Sequence, residues 1–339
     1  MNKDGFFSTV VGSLPLENTN SNMVKGFEDI INLGIDYPCY PQLESMITSF
    51  LDPLTELIPS LKKVGNNYHL NEDFTIPRVP IALKYGQFIA KFFNERPDLR
   101  DKVKGTKACL TGPFTLASAI IISMELASGI KPLLYKEPRA IIVPELVDKL
   151  AEIMKRTGDA YSKMGIEIIS MDEPMLSLFV GKKLIFHEED FIIKTLNKAV
   201  SGIKNLSSIH VCGRISPLLK ELLLRTDIKI LDHEFRTEES NFNVYSKKDF
   251  DETDKYIGMG VLKTKIIKNT GNRLEDYTEN ISFLKEYISR GIKQFGKENL
   301  IIKPDCGFGP LKEIFGQALG YKIAIRKLKN MVSTLKSFM

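Results

Sequence analysis

Short apolar runs rich in Ile and Val alternate along this chain with longer stretches whose apolar residues recur every three or four positions. Eight runs are of the first kind: FFSTVVGSLP, LGIDYPCYP, KACLTGPFT, IEIISMDEP, SSIHVCG, IKILDHEF, KYIGMGVLK and NLIIKPDCGF. The apolar stretch of each gives way to Gly, Pro or polar residues. Between them lie stretches such as NMVKGFEDIINL, VPELVDKLAEIMKRTGDAYSKM, DFIIKTLNKAVSGI, PLLKELLL and RLEDYTENISFLKEYISRGI. Continuous apolar runs predict strands buried on both faces, and the longer period predicts amphipathic helices. Eight such alternations predict an α/β fold, a (β/α)8 TIM barrel. The main irregularity runs from Gln42 to Arg100. It holds two helical patterns and the polar, aromatic stretch NNYHLNEDFTIP, so an insertion or long loop is expected after the second strand. No repeat, low-complexity stretch or linker interrupts the pattern, and residues 1–339 are expected to form a single domain.

Composition narrows the class of protein. A chain of 339 residues, 43% hydrophobic and 26% charged, has the size and make-up for one large globular barrel. The longest apolar run, LASAIIISMELASGI, is broken by Glu125 and is too short to span a bilayer. The opening MNKDGFFSTVVGSLP has no long apolar core of the leader type, so a cytoplasmic protein is expected. Four cysteines in a chain of this size suit a reducing compartment, where metal binding or catalysis outranks disulfides. The net charge of +5 is mild and its lysines are scattered. The basic, amphipathic KIAIRKLKNMVSTLKSFM reads as a solvated helix face. No basic stripe with interleaved aromatics is present, so neither nucleic acid nor membrane is expected as a partner.

The chemistry gathers at the ends of the predicted strands, where barrels of this kind carry their active sites. His210 and Cys212 close the fifth run, Glu234 closes the sixth and Cys306 the eighth. Residues two apart on a strand share a face and lie about 7 Å apart, close enough to share a metal. No C-x-x-C pair occurs, so this is not finger spacing. One imidazole, two thiolates and a carboxylate from three separate segments predict a zinc site on a preformed scaffold. Gly12–Ser13, Gln42, Thr111–Gly112–Pro113 and Asp172–Glu173–Pro174 close the first four runs at the same rim. Cys39 and Cys109 lie within runs and are expected to pack in the core. Alternation turns His233 away from Glu234, toward packing or the surface. His69 and His187 are expected in loops.

TVVGSLP, TGPFT, MDEPML, HVCG, the Glu of HEF and PDCGF occur in the order found in the catalytic barrel of the cobalamin-independent methionine synthases, and the chain resembles that family from residue 8 to residue 309. Uroporphyrinogen decarboxylases and corrinoid-dependent thiol methyltransferases share the barrel. The resemblance implies that His210, Cys212, Glu234 and Cys306 hold Zn2+, and that Ser13 and Asp172 hold the amino-acid end of homocysteine. Asp172 suits an ammonium partner. On this reading Glu234 and Asp172 are the catalytic pair of carboxylates, and Ser13, Gln42 and Asp172 bind substrate. Two departures stand out. The family usually has an acidic residue after the second strand, where this chain offers Gln42, with Glu44 nearby. Folate-using members carry a His after the seventh strand, where this chain reads GVLKTKII with Lys263 and Lys265.

A folate amine leaves only with a proton, whereas a methylated corrinoid needs no such acid. The missing His, and the absence from this sequence of the extra N-terminal half of long folate-using members, point to methylcobalamin or a protein-bound methyl-corrinoid as donor. The expected function is methyl transfer to the zinc-bound thiolate of homocysteine, with two thiolates and a carboxylate keeping the bound sulfur electron-rich. The alternatives are methyltetrahydrofolate as donor, another small thiol such as coenzyme M as acceptor, a non-enzymatic zinc-binding barrel, and a decarboxylase needing no zinc.

Overall fold

The computed structural model describes residues 6–130, 134–268 and 273–338. Among the described residues there are ten strands: β1 (Phe7–Ser8), β2 (Leu61–Val64), β3 (Asn67–Leu70), β4 (Lys107–Thr111), β5 (Ile120–Ile122), β6 (Ile168–Asp172), β7 (Leu206–Val211), β8 (Ile230–His233), β9 (Tyr256–Leu262) and β10 (Leu300–Pro304). The helices are α1 (Asn20–Leu33), α2 (Thr48–Leu57), α3 (Lys84–Glu95), α4 (Pro113–Ala119), α5 (Pro144–Lys163), α6 (Leu176–Phe179), α7 (Glu189–Val200), α8 (Pro217–Leu224), α9 (Lys247–Thr253), α10 (Ile281–Phe295) and α11 (Leu311–Leu335). No helix among the described residues is long and apolar enough to cross a membrane.

Seven strands form one parallel sheet in the order β1-β10-β9-β8-β7-β6-β4. The two ends of this sheet meet through residues 37–42. Thr9 bridges Tyr37, Ser13 bridges Gln42, and Cys39 bridges Lys107, all in parallel. The second predicted strand is therefore in place, but as single bridges. Pro38 and Pro41 explain this, because neither can donate to a ladder. With that segment counted, the sheet closes as the expected (β/α)8 barrel. The strands from β4 to β10 in the sheet are buried almost throughout, which is why they read as unbroken apolar runs.

Helix boundaries follow local chemistry. The Thr19 side chain accepts from the Asn22 N–H at the start of α1, and Gly34 ends that helix at φ 89°. Ser216 caps α8 ahead of Pro217, and Asn280 caps α10. These caps fix where three of the loops at the C-terminal rim give way to a helix.

The insertion after the second strand differs in detail from expectation. Leu61–Val64 and Asn67–Leu70 form an antiparallel hairpin through Gly65, and β3 pairs in parallel with β5. His69 thus lies in a strand and not in a loop. The apolar run LASAIIISMELASGI ends α4 and then supplies β5 to this second, three-stranded sheet.

Candidate metal centre and substrate pocket

His210 is near the end of β7, and Cys212 comes immediately after the strand, before the chain turns at Gly213 with φ 80°. Cys306 comes two residues after β10. The fold brings these three together. His210 Nε2 lies 3.0 Å from Cys212 Sγ, and the two sulfurs are 3.6 Å apart. All three donor atoms lie within 4.8 Å of one another. A tetrahedral zinc with Zn–S bonds of about 2.3 Å sets its sulfurs about 3.8 Å apart, so the donor set fits that ion.

The surroundings of the imidazole strengthen the fit. His210 Nδ1 meets Asp232 Oδ1 at 2.6 Å, which turns Nε2 toward the two sulfurs as the nitrogen that can coordinate. Asp232 is itself held by Lys303 Nζ at 2.5 Å and faces Lys107 Nζ at 3.6 Å, all three side chains being buried inside the barrel. Burial favours the neutral acid at Asp232, but Lys303, His210 and Lys107 outweigh it and hold the carboxyl well below the usual range. Burial likewise opposes charge on His210, yet the Asp232 carboxylate raises it to about 9. The hydrogen bond between the sulfurs holds the Cys306 thiol low and the Cys212 thiol high.

Glu234 stands outside the three-atom set. Its buried carboxylate accepts from Gly213 N at 3.1 Å and from Lys265 Nζ at 3.2 Å through Oε2. Oε1 lies 3.0 Å from the same ammonium but makes no hydrogen bond. The carboxylate therefore sits against the residue next to Cys212, tethered by a lysine from the segment after β9.

Asp172 ends β6 and lies opposite His210 in the strand register. It is buried, and its Oδ1 has no hydrogen-bond partner. Burial, with help from the charges on Asp232 and Cys306, pushes its carboxyl up to about 6 against the pull of His210 and Lys107. A buried carboxylate oxygen without a partner is costly unless a ligand completes it. Ser13 is fastened to the loop after Cys306: its Oγ accepts from Gly309 N at 3.1 Å and its carbonyl from Phe308 N at 2.8 Å. A Cβ at Gly307 would fall 1.9 Å from Ser13 Oγ, so only glycine fits there. Gln42 pairs with Ser13 across the bridge and packs on Gly12, whose φ of 138° also demands glycine. Among the described residues no hydrogen bond joins Ser13 or Gln42 to Asp172. Glu44 is already engaged by Lys84 at 2.5 Å and by the Tyr85 hydroxyl.

Sequence reasoning gave no role to three carboxylates that build this rim, although Glu173 lies in one of its motifs. Asp232 is one. Asp305, inside PDCG, accepts from the N–H groups of Phe235, Arg236 and Thr237 at 3.0, 2.9 and 2.6 Å, which fixes the chain just after Glu234. Glu173 accepts from Phe114 N and Thr115 N at 2.9 Å each and from Thr115 Oγ at 2.6 Å, tying MDEP to TGPFT. Burial pushes Glu173 up to about 7 despite these bonds. The available signal was position alone, since each acid adjoins a motif residue.

The remaining histidines lie away from the donor set. His233 packs inside, between Val211 O at 3.3 Å and the Tyr245 hydroxyl at 3.1 Å, as alternation predicts. His187 is in a loop as expected, but buried, with Nε2 2.7 Å from Ile141 O. No histidine comes after β9 in the chain. The Cys39 and Cys109 sulfurs lie 3.7 Å apart in the core.

A closed parallel barrel with imidazole and thiol donors converging at its C-terminal rim defines the class of protein. The sequence profile of the uroporphyrinogen decarboxylase (URO-D) family matches residues 96–312, and the chain belongs to that family. The matched range runs from β4 through β10 and includes Asp172, His210, Cys212, Glu234 and Cys306, but not Ser13 or Gln42. Relatives include the methionine synthase of Methanocaldococcus jannaschii, 26% identical over 97% of this chain and 98% of that one. The methionine synthase of Methanothermobacter thermautotrophicus is 32% identical over 68% of this chain and 63% of that one. Among solved structures, a B12-independent methionine synthase from Shewanella superposes with a TM-score of 0.65 at 15% identity, covering 98% of this chain and 97% of that chain. A methyltransferase from Methanosarcina mazei gives 0.55 at 16% identity, covering 94% and 85%. At those identities the superpositions speak for the fold. The sequence relatives bear out the likeness to methionine synthases carried by the motifs.

Proposed function

We propose that this protein is a methyltransferase of the methionine synthase type, which transfers a methyl group to the sulfur of homocysteine. The observation that carries the reading is the convergence of His210 Nε2, Cys212 Sγ and Cys306 Sγ within 4.8 Å, backed by Asp232 on the imidazole. The names of the sequence relatives agree with it. His210, Cys212 and Cys306 would hold Zn2+, with Glu234 as fourth ligand once its carboxylate turns from Lys265. A bound zinc ion supplies the Lewis acidity that takes the proton from a thiol at neutral pH.

The chain's own residues supply the rest. Asp232, kept ionised by Lys303 and Lys107, fixes the imidazole with Nε2 toward the two sulfurs. Asp172 offers its unpartnered oxygen to the ammonium group of homocysteine. Ser13 and Gln42, paired with each other and held beside the loop that carries Cys306, would contact the amino-acid end of the substrate. Gln42 gives a hydrogen bond in place of an ion pair, which leaves room for a thiol without an amino group, such as coenzyme M, as the alternative acceptor.

The segment after β9 carries the choice of donor. Lys263 and Lys265 stand there, and none of the four histidines does. A donor whose leaving group carries off the bonding electrons without a proton suits such a rim, and methylcobalamin or a methylated corrinoid protein is of that kind. One observation favours a second reading. Lys265 Nζ lies 3.0 Å from Glu234, near enough to the donor set to serve as the acid for methyltetrahydrofolate. The test offers zinc-loaded protein methylcobalamin, a methylated corrinoid protein and methyltetrahydrofolate, each against homocysteine and coenzyme M. Methionine from the corrinoid donors supports the proposal. Methionine from methyltetrahydrofolate alone selects the second reading, and a preference for coenzyme M overturns the acceptor assignment.

A further inference from the structure

A cavity of 490 Å³ opens at the rim beside Glu234, between the segments after β8 and β9 and the start of α10. Arg236, Lys263, Lys265 and Lys327 contribute cations to its wall, against the carboxylates of Asp276 and Glu279. Those carboxylates are committed elsewhere. Glu279 takes Lys327 Nζ at 2.6 Å and the Lys263 N–H at 2.9 Å, and Asp276 accepts the Arg273 N–H at 3.1 Å. Lys327 is thus neutralised, and Lys265 faces Glu234.

Arg236 and Lys263 are left with charge to spare. The Lys263 ammonium makes no ion pair among the described residues. Arg236 reaches Glu239 only at 3.5 Å, and its Nε is buried with no hydrogen-bond partner. Its guanidinium lies 4.6 Å from the Phe283 ring, which holds it in place on the wall. The α10 helix begins at this wall with Asn280, so the positive end of a helix of 15 residues adds to the field. Ile266, Ile267 and Tyr277 add apolar side chains to an otherwise polar lining, and Ile267 is 91% exposed. An orphaned buried N–H and an unpaired ammonium with apolar side chains beside them are complementary to one kind of ligand: an anion attached to a larger body with apolar surface.

We infer that this cavity is the seat for the anionic tail of the methyl donor, gripped by Arg236 and Lys263 while the methyl-bearing end reaches the donor atoms past Lys265. The identity of the ligand as the methyl donor rests on the function proposed above; the anion site itself does not. The tail carries phosphate oxygens if the donor is a corrinoid, and carboxylates if it is a polyglutamylated folate. Both present the same charged oxygens to a guanidinium and an ammonium.

The test uses the full-length, zinc-loaded protein and the double variant Arg236→Gln/Lys263→Gln. Calorimetry with pyrophosphate and, separately, with a γ-linked triglutamate reads the site without any methyl transfer. At least one probe should bind the native protein, and the double variant should bind it about tenfold or more weakly, with zinc content and circular dichroism unchanged. Pyrophosphate binding marks the phosphate source, and triglutamate binding the carboxylate source. No binding of either probe, or equal binding by the variant, overturns the site. In the transfer assay the same variant should raise the donor KM about tenfold and leave the homocysteine KM alone. A protein that binds the probe but transfers no methyl group would sink the function and keep the anion site.

Discussion

Asp232→Asn is the perturbation that probes the buried support of the metal centre most sharply. The substitution keeps the shape and removes one negative charge. In the native protein that charge sits 2.6 Å from His210 Nδ1, 2.5 Å from Lys303 Nζ and 3.6 Å from Lys107 Nζ. Lys303 and Lys107 are 0% and 1% exposed, so neither ammonium can turn to water for compensation. Removing one partner of a buried ion pair costs about 3–5 kcal/mol, and two cations depend on this carboxylate, so a loss at the upper end is expected. The imidazole keeps only a neutral amide oxygen in place of its carboxylate partner, and weakening of this kind lowers metal affinity about 10–100-fold. Urea unfolding reads the first effect, and competition for zinc against a calibrated chelator reads the second. Lys303→Met in the same background separates them. It removes the nearer of the two stranded cations and should recover part of the stability, but it leaves the imidazole without its carboxylate and the zinc affinity low. A single variant as stable as the native protein, or zinc affinity restored along with stability in the double variant, would refute the reasoning.

Other outcomes are expected from the same geometry. Cys212→Ser and Cys306→Ser should each lose zinc, measured as metal per chain; full occupancy in both would sink the ligand assignment. Asp172→Asn should raise the homocysteine KM by the equivalent of about 1.5–3 kcal/mol, the size of a charged hydrogen bond, while an acceptor lacking the amino group is little affected. Lys255 is buried and donates to Thr226 O and Ile228 O at 2.5 and 2.6 Å, and burial, with Lys229 nearby, lowers its pKa to about 8. Because the unfolded chain then binds the proton more tightly, this group should make stability rise from pH 8 to the ordinary lysine pKa near 10.4, with no contribution to the slope below pH 8. Lys255→Met should flatten that rise in a series of thermal melts, and an unchanged slope would refute the assignment.

Much of the barrel was legible because parallel strands buried on both faces leave unbroken apolar runs, and β4 and β6 through β10 all carry that mark. The second strand was legible as a position but not as a form, since Pro38 and Pro41 reduce its ladder to bridges. The hairpin from Leu61 to Leu70 was missed because β2 exposes Lys62, Lys63 and Val64 in succession and shows no two-residue period. Its partner β5 was hidden inside a longer apolar run. Of the site, the residues with soft or imidazole donors could be found from spacing and strand ends. Asp232, Lys303 and Lys107 could not, because a charged residue inside a strand reads as solvent-facing until its opposite charges are placed beside it. Glu234 shows the reverse. Its burial agrees with a role at the centre, yet its tie to Lys265 joins segments that sequence alone does not bring together.

The central claim is that the rim of this barrel activates a substrate sulfur on a protein-held zinc ion. X-ray absorption at the zinc edge, recorded with and without homocysteine, tests it most directly. Two sulfur and two lighter ligands are expected in the resting protein, from Cys212, Cys306, His210 and Glu234. With homocysteine bound, three sulfurs and the loss of one oxygen are expected. A shell that keeps two sulfurs at saturating homocysteine, or a protein that takes up no zinc, would contradict the claim.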